Sequence, residues 1–203
     1  MNTISKAYID SIRYIQNIFL GISILLMAIL PGILAYTPNS IAGWINSLYL
    51  ISLTAVFFVM IIRPLSDLFP ELTWLRTLVI LRKGVGVLSA SIIVSFILSK
   101  ILLGGTDYVE NFFTSDYWSI VGWSFLAHTG DVTAVILIVT SNKFSKRILG
   151  KNWKRIQKLA YVYFYAGAGY EMLALGSTYA FIAIIAVTIL IGLAHIKNSI
   201  KLT

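Results

Sequence analysis

Thr140–Leu173 reads TSNKFSKRILGKNWKRIQKLAYVYFYAGAGYEML. One apolar run ends at its first two residues. A loop follows that carries Lys143, Lys146, Arg147, Lys151, Lys154, Arg155 and Lys158, and a second apolar run then begins. Two apolar segments joined by a short, strongly basic loop form the pattern that membrane proteins place on their cytoplasmic side.

The rest of the chain follows the same plan. Of its 203 residues, 58% are hydrophobic and only 12% charged, whereas a soluble domain has roughly a quarter charged. Mean hydropathy is +0.86. The net charge of +8 sits at segment ends, which argues against nucleic-acid binding and for membrane topology. The chain has no Cys, so disulfides, iron–sulfur clusters and thiolate metal sites are excluded. Met1–Asn17 contains Lys6, Asp10 and Arg13 without a small-residue cleavage site, and the first apolar segment is therefore expected to stay as a span.

A spanning helix needs about 20 mostly apolar residues. Six segments qualify: Ile18–Tyr36, Trp44–Ile62, Leu78–Leu102, Tyr117–Val139, Ile156–Leu175 and Thr178–His195. The expected fold is all-α, a polytopic membrane protein with a six-helix bundle forming one domain over 1–203. Basic residues crowd the N-terminus (Lys6, Arg13), the second loop (Arg63, Arg76, Arg82, Lys83), the fourth loop and the tail (Lys197, Lys201). The first and fifth loops have none, and the third sets Lys100 against Asp107, Glu110 and Asp116. This alternation predicts both termini in the cytoplasm. Tyr108, Phe112, Phe113, Tyr117 and Trp118 suit the third loop to the outer interface, and Pro64, Pro70 and Trp74 suit the second to a short inner helix.

Two blocks resemble the ferric reductase-like transmembrane superfamily. One is Leu81-Arg82-Lys83-Gly84-Val85-Gly86-Val87, like that family's basic pair and Gly at the start of its third helix. The other is the quoted stretch, with its Thr140-Ser141 pair, its Leu-Gly and Trp-Lys loop and the helix beyond. Within the superfamily the chain is most similar to the haem-binding membrane subunits that support bacterial methionine-sulfoxide reduction. The resemblance implies an electron-transport, oxidoreductase-type domain in a prokaryotic inner membrane, with His on the third and fifth helices ligating b-type haem. The corresponding positions here are Phe96, Gln157 and Tyr170, and no His occurs between Met1 and Ala127. Conventional bis-His haem is therefore not expected, since Phe has no ligating atom and the usual ligands are His, Cys and Met. Tyr170 and Gln157 remain cofactor-contact candidates on the resemblance, with a flavin or quinone as the alternative cofactor.

Charged groups at membrane depth cost roughly 2.5–3.5 kcal/mol on insertion scales and are therefore candidates for function. His128 and Asp131 share a face of the fourth span at i and i+3. They suit a proton relay, a cation site or contact with a cofactor, or else a structural hydrogen-bonded pair. Glu171 is a third proton or ion candidate, or an interfacial residue at the outer end of the fifth span. His195 is expected to face the surface. Depth along the helices separates His128 from His195 by roughly 9 Å, which disfavours one haem between them. Ala166–Gly169 is suited to close helix approach. No nucleotide fingerprint is present, because Gly84 and Gly86 lack the strand context, and neither a catalytic residue nor a metal site is assigned. Partners are the lipid bilayer and a redox subunit docking at the basic fourth loop.

Three functions follow. The first is a redox-related membrane subunit or scaffold without conventional haem, the second an electron carrier with haem ligated atypically by His128 and Tyr170. The third is a proton, ion or solute transporter using Asp131 and His128.

Overall fold

Long apolar runs become long helices in the computed structural model, which describes residues 6–200, and of 38–42 the backbone alone. The elements are α1 (Lys6–Tyr36), α2 (Pro38–Leu68), α3 (Thr73–Leu78), a 3-10 turn (Val79–Leu81) and α4 (Arg82–Asn111). They continue with a second 3-10 turn (Val121–Trp123), α5 (Ser124–Thr140), α6 (Lys143–Leu149), α7 (Asn152–Ile156), α8 (Leu159–Leu173) and α9 (Thr178–Ile200). There is no strand among the described residues. Five stretches are long and apolar enough to cross a membrane: Lys6–Tyr36, Gly43–Leu68, Thr73–Asn111, Val121–Thr140 and Thr178–Ile200. Their outer faces expose Ile24, Leu25, Ile29, Ile182 and Ile189. Such faces need hydrocarbon around them, and the architecture is that of an integral membrane protein.

The fifth expected span, 156–175, is not one of these five. Its apolar part forms the 15-residue α8, separated from α7 by a turn at Gln157–Lys158. Gly176, at φ +67, lies in the tight connection to α9. Other boundaries also move. Pro64 does not end α2, which continues to Leu68. Within the fourth span the α-helix α5 begins only at Ser124, because Gly122 and Trp123 take φ of +69 and +62 and break the helix upstream. The short helix expected in the second loop is α3. Lys201 lies outside the described residues.

Packing runs through small residues. α1 packs chiefly on α4, α5 on α8, and α2 on α4 and α9. A Cβ on Gly84 would come within 3.0 Å of the Gln16 carbonyl oxygen and 3.2 Å of Phe19 Cβ. That glycine is what lets α1 cross α4 closely. Gly130 on α5 faces the Gly167 backbone of α8 in the same manner. Phe164, Ala134, Ala168, Ala180 and Val187 are fully enclosed at the centre.

Candidate functional site

A cavity of about 370 Å³ opens at the end of the bundle where α2 and α5 begin and α4 and α8 finish. Each helix delivers polar groups to it at helical spacing: Asn46, Tyr49 and Ser52 from α2, His128 and Asp131 from α5, and Tyr163, Tyr170 and Glu171 from α8. Residues three, four and seven apart share a helix face, which is why these side chains point one way. Lys100 of α4 joins them from an exposed position, and Leu53, Val56 and Ile93 supply apolar wall.

His128 is the most constrained of the group. Its Nδ1 lies 3.8 Å from Asp131 Oδ2, beyond hydrogen-bond range. That nitrogen is enclosed and has no hydrogen-bond partner. The Tyr117 ring stacks on the imidazole, and Trp118 approaches it edge-on at 6.0 Å between centroids. Tyr117 and Tyr108 share a hydroxyl–hydroxyl hydrogen bond of 3.0 Å, and Trp118 Nε1 donates to Phe112 O at 2.9 Å. Burial first, then the hydrogen bond with Tyr108, pushes the Tyr117 phenol above its ordinary pKa. The aromatic third loop is thus a cap on the histidine.

Asp131 and Glu171 form no ion pair with Lys or Arg among the described residues. Both line the cavity, and Glu171 is half-buried there.

Beneath the cavity floor three hydroxyls close on one another. Tyr163 Oη lies 3.1 Å from Ser52 Oγ and 2.9 Å from Ser89 Oγ. The serine hydroxyls are 3.0 Å apart, and Ser89 Oγ donates to Ser52 O at 2.8 Å. This knot joins α2, α4 and α8 in the buried centre. Tyr165 Oη pairs with Thr188 Oγ1 of α9 at 2.9 Å. Tyr163 and Tyr165 are therefore packing groups, and Tyr163 and Tyr170 face the cavity.

The structure brings His128, Asp131, Tyr170 and Glu171 to one cavity and leaves Gln157 out. Gln157 precedes the start of α8, whereas Tyr170 is near its end. The Gln157 amide Nε2 donates to Thr140 Oγ1 at 3.2 Å, and Trp153 Nε1 donates to Thr140 O at 2.9 Å. Lys146 stands over the Trp153 ring at 5.2 Å. The Thr140-Ser141 and Trp153–Gln157 signatures are one local unit that ties the basic loop to the end of α5. His195 is exposed on α9. Tyr49, Asn46 and Ser52 escaped the sequence reading, and Lys100 entered it only as a third-loop charge; the signal of the first three was only helical spacing within an apolar run.

The chain's residues do not fit bis-imidazole haem. Phe96 is buried among Leu30, Leu34 and Ile92, with its ring stacked on Tyr49 at 4.4 Å and 5°. Tyr49 itself faces the cavity, so an aromatic pair fills the space between α4 and the cavity. His128 is the sole imidazole lining the cavity, and its Nδ1 is directed toward Asp131. No protein-family model matches the chain, and neither a curated protein nor a solved structure matches it.

Proposed function

We propose that this chain is a six-span membrane domain of ferric reductase-like descent, both termini cytoplasmic, in which a polar ligand cavity has taken the place of bis-histidine haem. It serves as a subunit or scaffold of a redox assembly in a prokaryotic inner membrane. The observation that carries the reading is the convergence of His128, Asp131, Tyr170 and Glu171 on one cavity, while Phe96 and Gln157 are committed to packing and to Thr140.

The even number of spans has its own support. Gln16, near the N-terminus, lies against Gly84, and Lys197, near the other end, donates to Leu68 O. Both contacts are with the segment around the second loop, and a chain with both ends at one end of a bundle crosses it an even number of times. α8 supplies the sixth crossing. At 1.5 Å per residue it spans roughly 22 Å, and a bilayer accommodates a short span by thinning locally. α6 exposes Phe144 and Ile148 beside Lys143 and Arg147. This mixture suits the interface of an anionic leaflet and docking of an acidic partner.

Haem titration tests the reading. Hemin added to the detergent-purified protein is expected to show no saturable one-to-one Soret shift. A stoichiometric shift that His128→Ala abolishes would overturn it in favour of an electron carrier with atypical ligation.

A second reading, transport of protons or a small cation, is favoured by the His128–Asp131 pair bordering the cavity. It predicts flux in liposomes that Asp131→Asn removes; flux indifferent to that change dismisses the site.

A further inference from the structure

We infer that the cavity binds a small organic monocation, a protonated amine, with its ammonium group held by the Asp131 carboxylate. The inference rests on the reading of this cavity as a ligand site and names the ligand's chemistry.

The charge pattern comes first. Two carboxylates, Asp131 and Glu171, line an interior cavity without a Lys or Arg ion-pair partner among the described residues. Acids at membrane depth ordinarily pair with a cation or a backbone group, because an isolated charge there is expensive. Lys100 is at the exposed rim, more than bridging distance from either acid. Two acids against that one lysine leave the wall with a deficit of basic groups. A monocation removes the deficit.

Geometry then selects the group. His128 Nδ1 is enclosed and lies 3.8 Å from Asp131 Oδ2, too far to bond it, so the Asp131 carboxylate is left as the acceptor that the cavity reaches. An ammonium brings that carboxylate three donors and a positive charge. A neutral alcohol brings one donor and no charge. A carboxylate brings no donor and adds repulsion.

The walls decide between an organic and an inorganic cation. No group of three His, Cys, Asp or Glu side chains among the described residues can hold a metal ion, and about 370 Å³ far exceeds the space a bare ion needs. The rings of Tyr49, Tyr163 and Tyr170 line the same space. Aromatic faces attract cations and bury the apolar body of an amine. The volume falls within the range of small-molecule pockets.

The test uses the detergent-purified full chain and three probes of matched shape: 2-phenylethylamine, 2-phenylethanol and 3-phenylpropanoate, each followed by titration calorimetry. The amine is expected to bind saturably, one per chain, with the alcohol and the acid at least about tenfold weaker. Asp131→Asn, which keeps the shape of the side chain, should weaken the amine by about tenfold or more and leave the alcohol unchanged. Glu171→Gln provides a second variant with a smaller loss. Equal binding of amine and alcohol, preference for the acid, or no binding of any probe would each overturn the inference. A Soret band in the same sample would instead overturn the ligand-cavity reading beneath it, so the two failures are distinguishable.

Discussion

The ring of Tyr117 lies flat on the imidazole of His128, with centroids 3.5 Å apart and planes within 20°. Tyr117 comes from the loop between α4 and α5, and His128 from the second turn of α5. The stack therefore fastens a surface loop onto the cavity's histidine. Two conformational breaks bound the capping segment: Gly105, at φ +53, interrupts α4, and Gly122, at φ +69, precedes α5. Trp123 adopts φ +62 without being glycine, a conformation that costs a bulky residue on the order of 1–3 kcal/mol. The cap is held by its aromatic contacts against that cost.

Acylation by diethyl pyrocarbonate reads the cap directly. His195 is exposed and His128 is covered, so peptide mass spectrometry should find His195 modified first. Tyr117→Ala is expected to raise the His128 rate several-fold and leave His195 unchanged. Equal rates in the unaltered protein would show that Tyr117 does not shield the site.

Gly84 and Gly130 both sit at close helix crossings, yet alanine should affect them differently. At Gly84 the added Cβ meets backbone oxygen at 3.0 Å, and at Gly130 the nearest atom is at 3.7 Å. Gly84→Ala is expected to cost about 1–3 kcal/mol by overpacking, while Gly130→Ala stays near neutral. Unfolding in mixed micelles measures both, and the reverse order would contradict the packing described.

Removing the Tyr163 hydroxyl leaves Ser52 and Ser89 with each other alone. Tyr163→Phe should destabilise the bundle by about 1 kcal/mol. Its effect should not add to that of Ser89→Ala, because both break one network. A double variant whose loss equals the sum of the singles would dissolve the knot into independent bonds.

Helix existence was legible wherever apolar length was unambiguous, and so were His128 and Asp131, because charge within an apolar run stands out. The cavity was not legible. Tyr49 and Ser52 read as ordinary members of an apolar segment, and only the packing of α2 beside α5 and α8 turns them to a shared space. Gln157 marks the opposite difficulty. Its position in the motif suggested a cofactor contact, but the turn between α7 and α8 aims its amide at Thr140, a tertiary choice that spacing cannot express. The boundary at Ser124 likewise depended on Trp123 accepting a left-handed backbone, which its residue type argues against.

The most direct measurement is the visible spectrum of the detergent-purified protein, oxidised and dithionite-reduced, with haem and flavin assayed on the same sample. The account predicts no stoichiometric Soret band and no reduced α and β peaks, because Phe96, where the resemblance would put a haem-ligating His, is stacked on Tyr49. A Soret band at one haem per chain, sharpening on reduction, would contradict it.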